Sequence, residues 1–397
     1  MKKIGILLIS MLTITGCLVY ARERAACQQK EKYIQEEFAS GGIYDAVEGQ
    51  LLQREQETAG RLAETCYAYS MLPVTQQQLY LEILDALAEF REDVRLSSCD
   101  TEEISKVFQC VMNDHPEIFY VDGYTYTEYT LGEKLRKITF SGVYLMDNDE
   151  VLRTQRKIDR YVEECLGGIA PDADEYEKVK YIYEYLISHT EYDGTAQDNQ
   201  NICSVFLRGR SVCQGYAKAM QYLLQRAGVY STLVLGRVIN GDSHAWNLVR
   251  IDGEYYYVDV TWGDASYQTS GQESSGERKM PAINYDYLCV TTKQLEMTHQ
   301  IDTVAAMPQC DSMDANYYVR EGVYFTEMEE ERLQEIFRNA LDAGDTYITL
   351  KCASQDVYQQ MRKSLIDEQK IFRYLDISGE SVSYSENEKQ YSMSFWL

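Results

Sequence analysis

Three residues of the sequence have the types needed for nucleophilic catalysis by a thiol. Cys213 lies in a Ser-Val-Cys-Gln-Gly-Tyr-Ala segment, His244 begins a His-Ala-Trp-Asn segment, and Asp259 lies in Val-Asp-Val-Thr-Trp. A thiol, an imidazole and a carboxylate can act as nucleophile, general base and orienting acid. The chain contains only four histidines, so few other residues are available as the base.

The residues that follow Cys213 are predicted to form a helix. Apolar side chains recur at helical spacing between Tyr216 and Ala227, and Gly228 is a stop signal. Cys213 would then lie at the helix N-terminus, where partial positive charge and backbone N–H groups favour a thiolate. The same N–H groups are suited to hold an oxyanion.

His244 and Asp259 are predicted to lie on one β-hairpin. The segments 244–251 and 255–262 are rich in strand-forming residues, and the Asp-Gly pair at 252–253 is a two-residue turn signal. The register set by this turn makes His244 and Asp259 diagonal neighbours on one sheet face, about 7–8 Å apart at the backbone. A carboxylate there can hold the imidazole tautomer and stabilise its charged form.

The three motif blocks, in this order, resemble the transglutaminase-like superfamily, relatives of papain-type cysteine enzymes. The similarity is clearest from about Tyr176 to Trp262 and continues more weakly to about Cys310. It implies an α+β fold with a papain-like, transglutaminase-like core, in which a helix carrying Cys213 packs on an antiparallel sheet, flanked by small α/β units. Bacterial extracytoplasmic members of the lipoprotein type are the most similar.

By this resemblance, Cys213 is the nucleophile, His244 the general base and acid, and Asp259 the orienting carboxylate. The family shares acyl-thioester chemistry on amides, but its members include crosslinking enzymes, hydrolases and inactive relatives. We expect a cysteine protease or amidase, or an acyltransferase, and favour hydrolysis because nothing in the sequence marks a site for an acceptor amine. The alternative is a catalytically inactive binding or scaffolding protein at the cell surface.

Three further residues of the motif blocks have two interpretations each. Trp246 and Trp262 either wall a substrate cleft or fill the core. Gln214 either donates to the oxyanion or has a surface or helix-capping role. The remaining histidines lie outside the motif blocks and are interpreted as structural: His115, His189 and His299.

No metal ion or organic cofactor is predicted. A zinc site made by Cys213, His244 and Asp259 is an alternative, but no Cys-x-x-Cys or His-x-x-x-His pattern accompanies these residues. No EF-hand-like loop is present either. The net charge of −25 argues against nucleic acid, whose binding needs clustered basic residues. The expected partner is a peptide, protein or cell-wall peptide substrate.

The N-terminus has the organisation of an export signal. Lys2 and Lys3 precede an apolar run that ends in Ile-Thr-Gly-Cys17. This resembles a bacterial lipobox, with residues 1–17 as the signal peptide and Cys17 as the lipidated residue. Alternatively, residues 4–20 form an uncleaved membrane anchor. Both alternatives predict an extracytoplasmic protein attached to the outer face of the bacterial cell membrane.

The cysteine content bears on the redox state of an exported protein. The chain has eleven cysteines, whose spacing shows no disulfide framework, and a catalytic thiol must stay reduced. We therefore expect many free thiols, which suits a reducing or anaerobic habitat.

At 397 residues the chain has room for two or three domains. Residues 311–397 are expected to repeat residues 75–145, because at a constant offset Cys99 matches Cys352 and Ile118-Phe119 matches Ile371-Phe372. Chance matching of helix and strand patterns is the alternative. The predicted segments after the signal are a helical spacer at 18–74, an N-terminal α/β unit at 75–166, a catalytic domain at 174–310 and a C-terminal α/β unit at 311–397.

Overall fold

The computed structural model describes residues 4–8, 58–264, 281–375 and 381–397. The chain divides into two compact units, each built from discontinuous segments. Helices and mainly antiparallel strands occur in both, which confirms the predicted α+β class. The domain boundaries drawn from the sequence stay a prediction. The first unit comprises residues 1–169, 193–234 and 302–307, and the second comprises residues 170–192, 235–301 and 308–397.

The helices and strands are numbered in chain order. The helices are α1 (Tyr67–Ser70), α2 (Val74–Ala88), α3 (Thr101–Asp114), α4 (Asn148–Leu166), α5 (Glu175–His189), α6 (Ile202–Arg208), α7 (Cys213–Arg226), α8 (Val260–Gly263), α9 (Thr292–Leu295), α10 (Tyr317–Arg320), α11 (Glu330–Ala343), α12 (Gln355–Arg362) and α13 (Ile371–Tyr374). The strands are β1 (Ile4–Leu8), β2 (Val94–Arg95), β3 (Val121–Leu131), β4 (Lys134–Tyr144), β5 (Glu191–Tyr192), β6 (Arg210–Ser211), β7 (Tyr230–Val238), β8 (Ser243–Ile251), β9 (Glu254–Val258), β10 (His299–Ile301), β11 (Tyr324–Phe325), β12 (Tyr347–Cys352), β13 (Tyr384–Asn387) and β14 (Ser392–Trp396).

In the first unit, an antiparallel sheet of order β1-β3-β4-β2 packs against α2 and α3. The hairpin β3–β4 turns at Gly132, whose φ of 64° suits a residue without a Cβ. Aromatic rings fill the space between sheet and helix, with the Phe108 ring centroid 4.6 Å from that of Tyr124. Burial of these rings stabilises the unit.

The second unit contains the hairpin predicted to carry His244. Strands β8 and β9 pair from Ile251 opposite Glu254 to Asn247 opposite Val258, and the turn has positive φ at both central residues, as a two-residue hairpin loop requires. The predicted register is correct over this length. The predicted extension of the second strand to residue 262 is wrong, because the chain leaves the sheet after Val258 and forms α8.

The C-terminal part of the second unit forms a sheet of order β11-β12-β14-β13 with α11 and α12. Strand β12 pairs antiparallel with β14, the second strand of the hairpin that follows it. In the first unit, β2 pairs in the same sense with β4, the second strand of its hairpin. The two segments therefore share element order and strand pairing, and their descent from a duplication stays a prediction.

Most of the predicted export signal lies outside the described residues, and so does Cys17. Within that segment, strand β1 pairs antiparallel with β3. Residues 18–57 of the predicted spacer are likewise outside, while residues 58–65 are helical. The described residues include no helix long and apolar enough to cross a bilayer.

Candidate active site

Asp259 is fixed by the backbone at the point where β9 ends. It is the N-cap of α8, and its Oδ1 accepts hydrogen bonds from the backbone N–H groups of Thr261 at 3.0 Å and Trp262 at 3.1 Å. Its own backbone N–H donates to the Tyr287 carbonyl at 2.9 Å. These bonds hold Oδ1 toward the helix and leave Oδ2 to face the sheet.

His244 contacts the second oxygen of this carboxylate. Its Nε2 lies 2.7 Å from Asp259 Oδ2, and both side chains are buried. An ionised carboxylate only accepts hydrogen bonds, so His244 donates from Nε2. The other ring nitrogen, Nδ1, is therefore the one that exchanges a proton in any base chemistry of His244. The hairpin predicted that the two residues are neighbours, but the capping position of Asp259 is what brings them into direct contact.

His299 is a third member of this cluster, although its position outside the motif blocks predicted a structural role. Its Nε2 lies 3.0 Å from the same oxygen, Asp259 Oδ2, and its Nδ1 lies 2.8 Å from Thr298 Oγ1. The residue begins β10, which pairs antiparallel with β7. A histidine in a three-residue strand far along the chain has no local sequence signal for this contact. The scarcity of histidine in the chain is the one sequence feature that could have drawn attention to it.

Aromatic rings enclose the His299 imidazole. Ring centroids lie 5.1 Å away for Trp246, 4.7 Å for Trp262 and 5.5 Å for Tyr287. Trp246 is fully buried and Trp262 is half-buried. The burial of Trp246 favours its interpretation as a core residue, whereas the partial exposure of Trp262 is compatible with both of its predicted roles.

Gly236 in β7 makes room for these rings. A Cβ at this position would lie 2.5 Å from Trp246 Cη2 and 2.1 Å from the carbonyl oxygen of Gln300. Any larger residue would displace the indole or the neighbouring strand. The missing side chain on β7 thus lets the indole of β8 lie beside the imidazole of β10.

Two opposing effects act on the pKa of Asp259. Burial alone raises the pKa of Asp259, but the imidazoles of His244 and His299 outweigh that effect and hold its pKa well below the ordinary value. One potential ligand atom from each of these three residues lies within 4.8 Å of the other two, a spacing that suits a metal ion. Both imidazoles direct N–H groups at the carboxylate, however, so we assign a hydrogen-bonded cluster and no metal ligands.

Cys213 and Gln214 belong to the first unit, where both are half-buried. Cys213 is the first residue of α7, and the N-cap residue, Val212, makes no side-chain capping bond. The first turn of the helix packs closely on the residues before it, because a Cβ on Gly215 would lie 2.0 Å from Ser211 Oγ. The predicted helix therefore begins at the thiol, so the thiol lies at the positive end of the helix dipole.

The other thiols of the described residues are mostly buried. Nine cysteines are described and all are free; seven are buried, Cys99 is exposed and Cys213 is intermediate. Burial raises the pKa of Cys110, Cys165 and Cys203 to about 12, which makes these thiols poor nucleophiles near neutral pH. Among the described cysteines, only Cys99 and Cys213 combine a thiol with solvent access.

Comparison with known families agrees with the motif blocks. Residues 163–260 match the family model of the transglutaminase-like superfamily, a range that contains Cys213, His244 and Asp259 but ends before His299. Kyphoscoliosis peptidase of Mus musculus is 29% identical over 126 residues, which cover 28% of this chain and 19% of the relative. The match therefore spans about a fifth of the length of that relative.

Solved structures give weak overall similarity. A TGase has a TM-score of 0.26 and 16% identity, covering 38% of this chain and 46% of its own. A provisionally assigned cysteine protease from Cytophaga hutchinsonii has a TM-score of 0.24 and 13% identity, covering 34% of this chain and 61% of its own. The family match, which spans all three motif blocks, is the informative one. The chain therefore contains a transglutaminase-like domain.

Proposed function

We propose that the protein is a membrane-tethered, extracytoplasmic cysteine enzyme that cleaves amide or peptide bonds through a thioester on Cys213. The observation that carries the proposal is the 2.7 Å hydrogen bond from His244 Nε2 to Asp259 Oδ2. This bond fixes a base of defined tautomer within a family match that also contains Cys213.

The proposed reaction begins with proton transfer from the Cys213 thiol to Nδ1 of His244. The sulfur attacks the amide carbonyl, and the C–O π electrons move to oxygen to give a tetrahedral oxyanion. The imidazolium of His244 then protonates the leaving nitrogen as the C–N bond breaks, and a thioester remains. His244 next removes a proton from water, the hydroxide displaces the sulfur, and the proton returns to the thiol.

Asp259 and α7 would each lower one barrier in this reaction. The Asp259 carboxylate stabilises the imidazolium that forms when the thiol is deprotonated. The N-terminus of α7 stabilises both the thiolate and the oxyanion, because its dipole and its first-turn N–H groups present partial positive charge. Gln214, in the same turn, is proposed as a further oxyanion donor.

Hydrolysis is favoured over transfer to a second amine. The mouse relative is named a peptidase, which supports water as the acceptor. The proposed substrates are cell-wall peptides or surface proteins, a choice that rests on the proposed location. The charge of −25 fits a peptide or protein partner better than nucleic acid. The location rests on Lys2, Lys3 and the apolar run that ends at Cys17.

Selective labelling tests this proposal. Iodoacetamide should modify Cys213 at least about tenfold faster than Cys99 near pH 7, because the proposed base His244 and the N-terminus of α7 both favour the thiolate of Cys213. Cys99 is the internal control, since it is the exposed thiol among the described residues. His244→Ala should abolish the selectivity and leave Cys99 labelling unchanged. Equal rates for the two thiols in the wild-type protein would favour the inactive binding or scaffolding alternative.

A further inference from the structure

The carboxylate of Asp259 has all its acceptor positions filled. Oδ1 accepts from the backbone N–H groups of Thr261 and Trp262, and Oδ2 accepts from the imidazoles of His244 and His299. A carboxylate has about four lone-pair positions, so no further donor is needed to satisfy it. His244 therefore shares its partner oxygen with a second, fully buried histidine.

The His299 ring is locked in the orientation that makes this contact. The Thr298 hydroxyl lies 2.8 Å from Nδ1, and Nε2 faces the Asp259 carboxylate, which only accepts hydrogen bonds, so the ring donates to Asp259 from Nε2. The rings of Trp246, Trp262 and Tyr287 surround the imidazole and restrict its rotation. The Nε2–H group is thus a preorganised donor and does not depend on a side chain that can turn away.

A second donor on Oδ2 changes the strength of the hydrogen bond between this oxygen and His244. Each N–H group draws electron density from the shared oxygen, so the hydrogen bond from His299 weakens the pull of that oxygen on the proton of His244. Two further titratable groups of the described residues interact with Asp259, and neither offsets this effect. Burial raises the pKa of Tyr183 and Tyr287 far above their ordinary value, so both phenols stay neutral.

We propose that His299 is a positioning residue that acts through Asp259 to lower the proton affinity of His244 and to fix the carboxylate. The inference deepens the function proposed above and rests on it for the roles of Cys213 and His244. A base that holds its proton too tightly is a poor acid for the leaving amine. His299 therefore keeps His244 able both to accept and to donate a proton, although it lies outside the stretch that matches the family model.

Histidine NMR in a Cys213→Ala background tests this inference without catalysis. The chain has only four histidines, so the ring signals of His244 can be assigned by substitution. His299→Phe removes the donor and keeps a ring in the aromatic enclosure, and the titration midpoint of His244 should move up by about half a pH unit or more. His299→Gln keeps an amide N–H near the position of Nε2 and should leave the midpoint close to the parent value.

Two outcomes would overturn the inference. One is an unchanged His244 midpoint in a folded His299→Phe protein, and the other is an equal shift in the Phe and Gln variants. If the Phe variant does not fold, His299→Met provides the second arm. Methionine fills the enclosure without an N–H donor, so the His244 midpoint should again move upward, and no movement would contradict the inference. Failure of the proposed function would appear instead as unselective labelling of Cys213 in the wild-type protein.

Discussion

Asp259→Asn is the substitution whose effect follows most directly from the geometry of the site. Asparagine is a good N-cap, so its carbonyl oxygen can keep the bonds from the N–H groups of Thr261 and Trp262. The amide NH₂ group then faces the two imidazoles where an acceptor stood before. To avoid opposed donors, His244 must move its proton from Nε2 to Nδ1, which removes the acceptor that the thiol needs.

Two reference values bracket the loss of rate that this substitution should cause. Loss of one hydrogen bond to a charged group is worth about 1.5–3 kcal/mol, which corresponds to about 10- to 150-fold in rate. A wrong tautomer of the catalytic histidine costs more, about 10⁴-fold in a serine triad. We expect the loss of catalytic rate for Asp259→Asn to fall near the second value, because both imidazoles compete for the same amide. In thiol alkylation the visible effect is smaller, because only the excess of Cys213 over an ordinary exposed thiol can be lost.

The assay is the rate of Cys213 alkylation by iodoacetamide, followed peptide by peptide with mass spectrometry. Cys99 labelling reports the general reactivity of the sample, and Asp242→Asn, at an exposed position in the same unit, is the matched control. The Asp259 variant should reduce Cys213 labelling to the rate of Cys99, while the control keeps the wild-type ratio. A folded Asp259→Asn protein with the wild-type ratio would refute the tautomer argument.

Three further predictions concern folding. Gly236→Ala should lower the free energy of unfolding by about 1–3 kcal/mol, measured with urea, because the added Cβ overpacks the core. The control Gly194→Ala has open space at the Cβ and should stay within about 0.5 kcal/mol of wild type. Equal stabilities of the two variants would contradict the packing argument. Lys351→Met leaves the buried Asp286 carboxylate without its ammonium partner at 2.9 Å and should lower the free energy of unfolding by about 3–5 kcal/mol. Adding Asp286→Asn to the same chain should recover part of this loss. A Lys351→Met protein as stable as wild type would show that the pair contributes little. Burial raises the pKa of Asp114 from 3.8 to about 6, so the folded state holds this proton more tightly than the unfolded state and stability falls as the pH rises through that window. Relative to Asp114→Asn, the wild-type protein should therefore lose about 2.4 kcal/mol between pH 4 and pH 7, and an unchanged difference would disprove the shift.

The sequence predicted the parts of the site that local chemistry determines. The Asp-Gly turn at 252–253 gave the correct register of β8 and β9, because two-residue loops leave little freedom in strand pairing. The helical spacing after Cys213 likewise indicated a helix, which begins at the thiol itself. Both signals come from neighbouring residues and need no tertiary contact.

Tertiary contacts explain what the sequence did not predict. The segment Val258 to Trp262 is rich in strand formers, yet the side chain of Asp259 caps a short helix and ends the strand there. Strand propensity is weak where a local side chain can bond to the backbone instead. His299 reaches Asp259 only because β10 pairs with β7, a contact between distant parts of the chain.

The central claim is that an acyl group is carried on Cys213 during turnover. Wild-type protein mixed with cell-envelope peptides and quenched with acid should show, by mass spectrometry, a mass increase on the peptide that contains Cys213. Neutral hydroxylamine should release that mass, because it cleaves thioesters, and Cys213→Ser should not carry a hydroxylamine-sensitive adduct. An unmodified Cys213 peptide during demonstrated turnover, or an adduct only on another cysteine, would contradict the account.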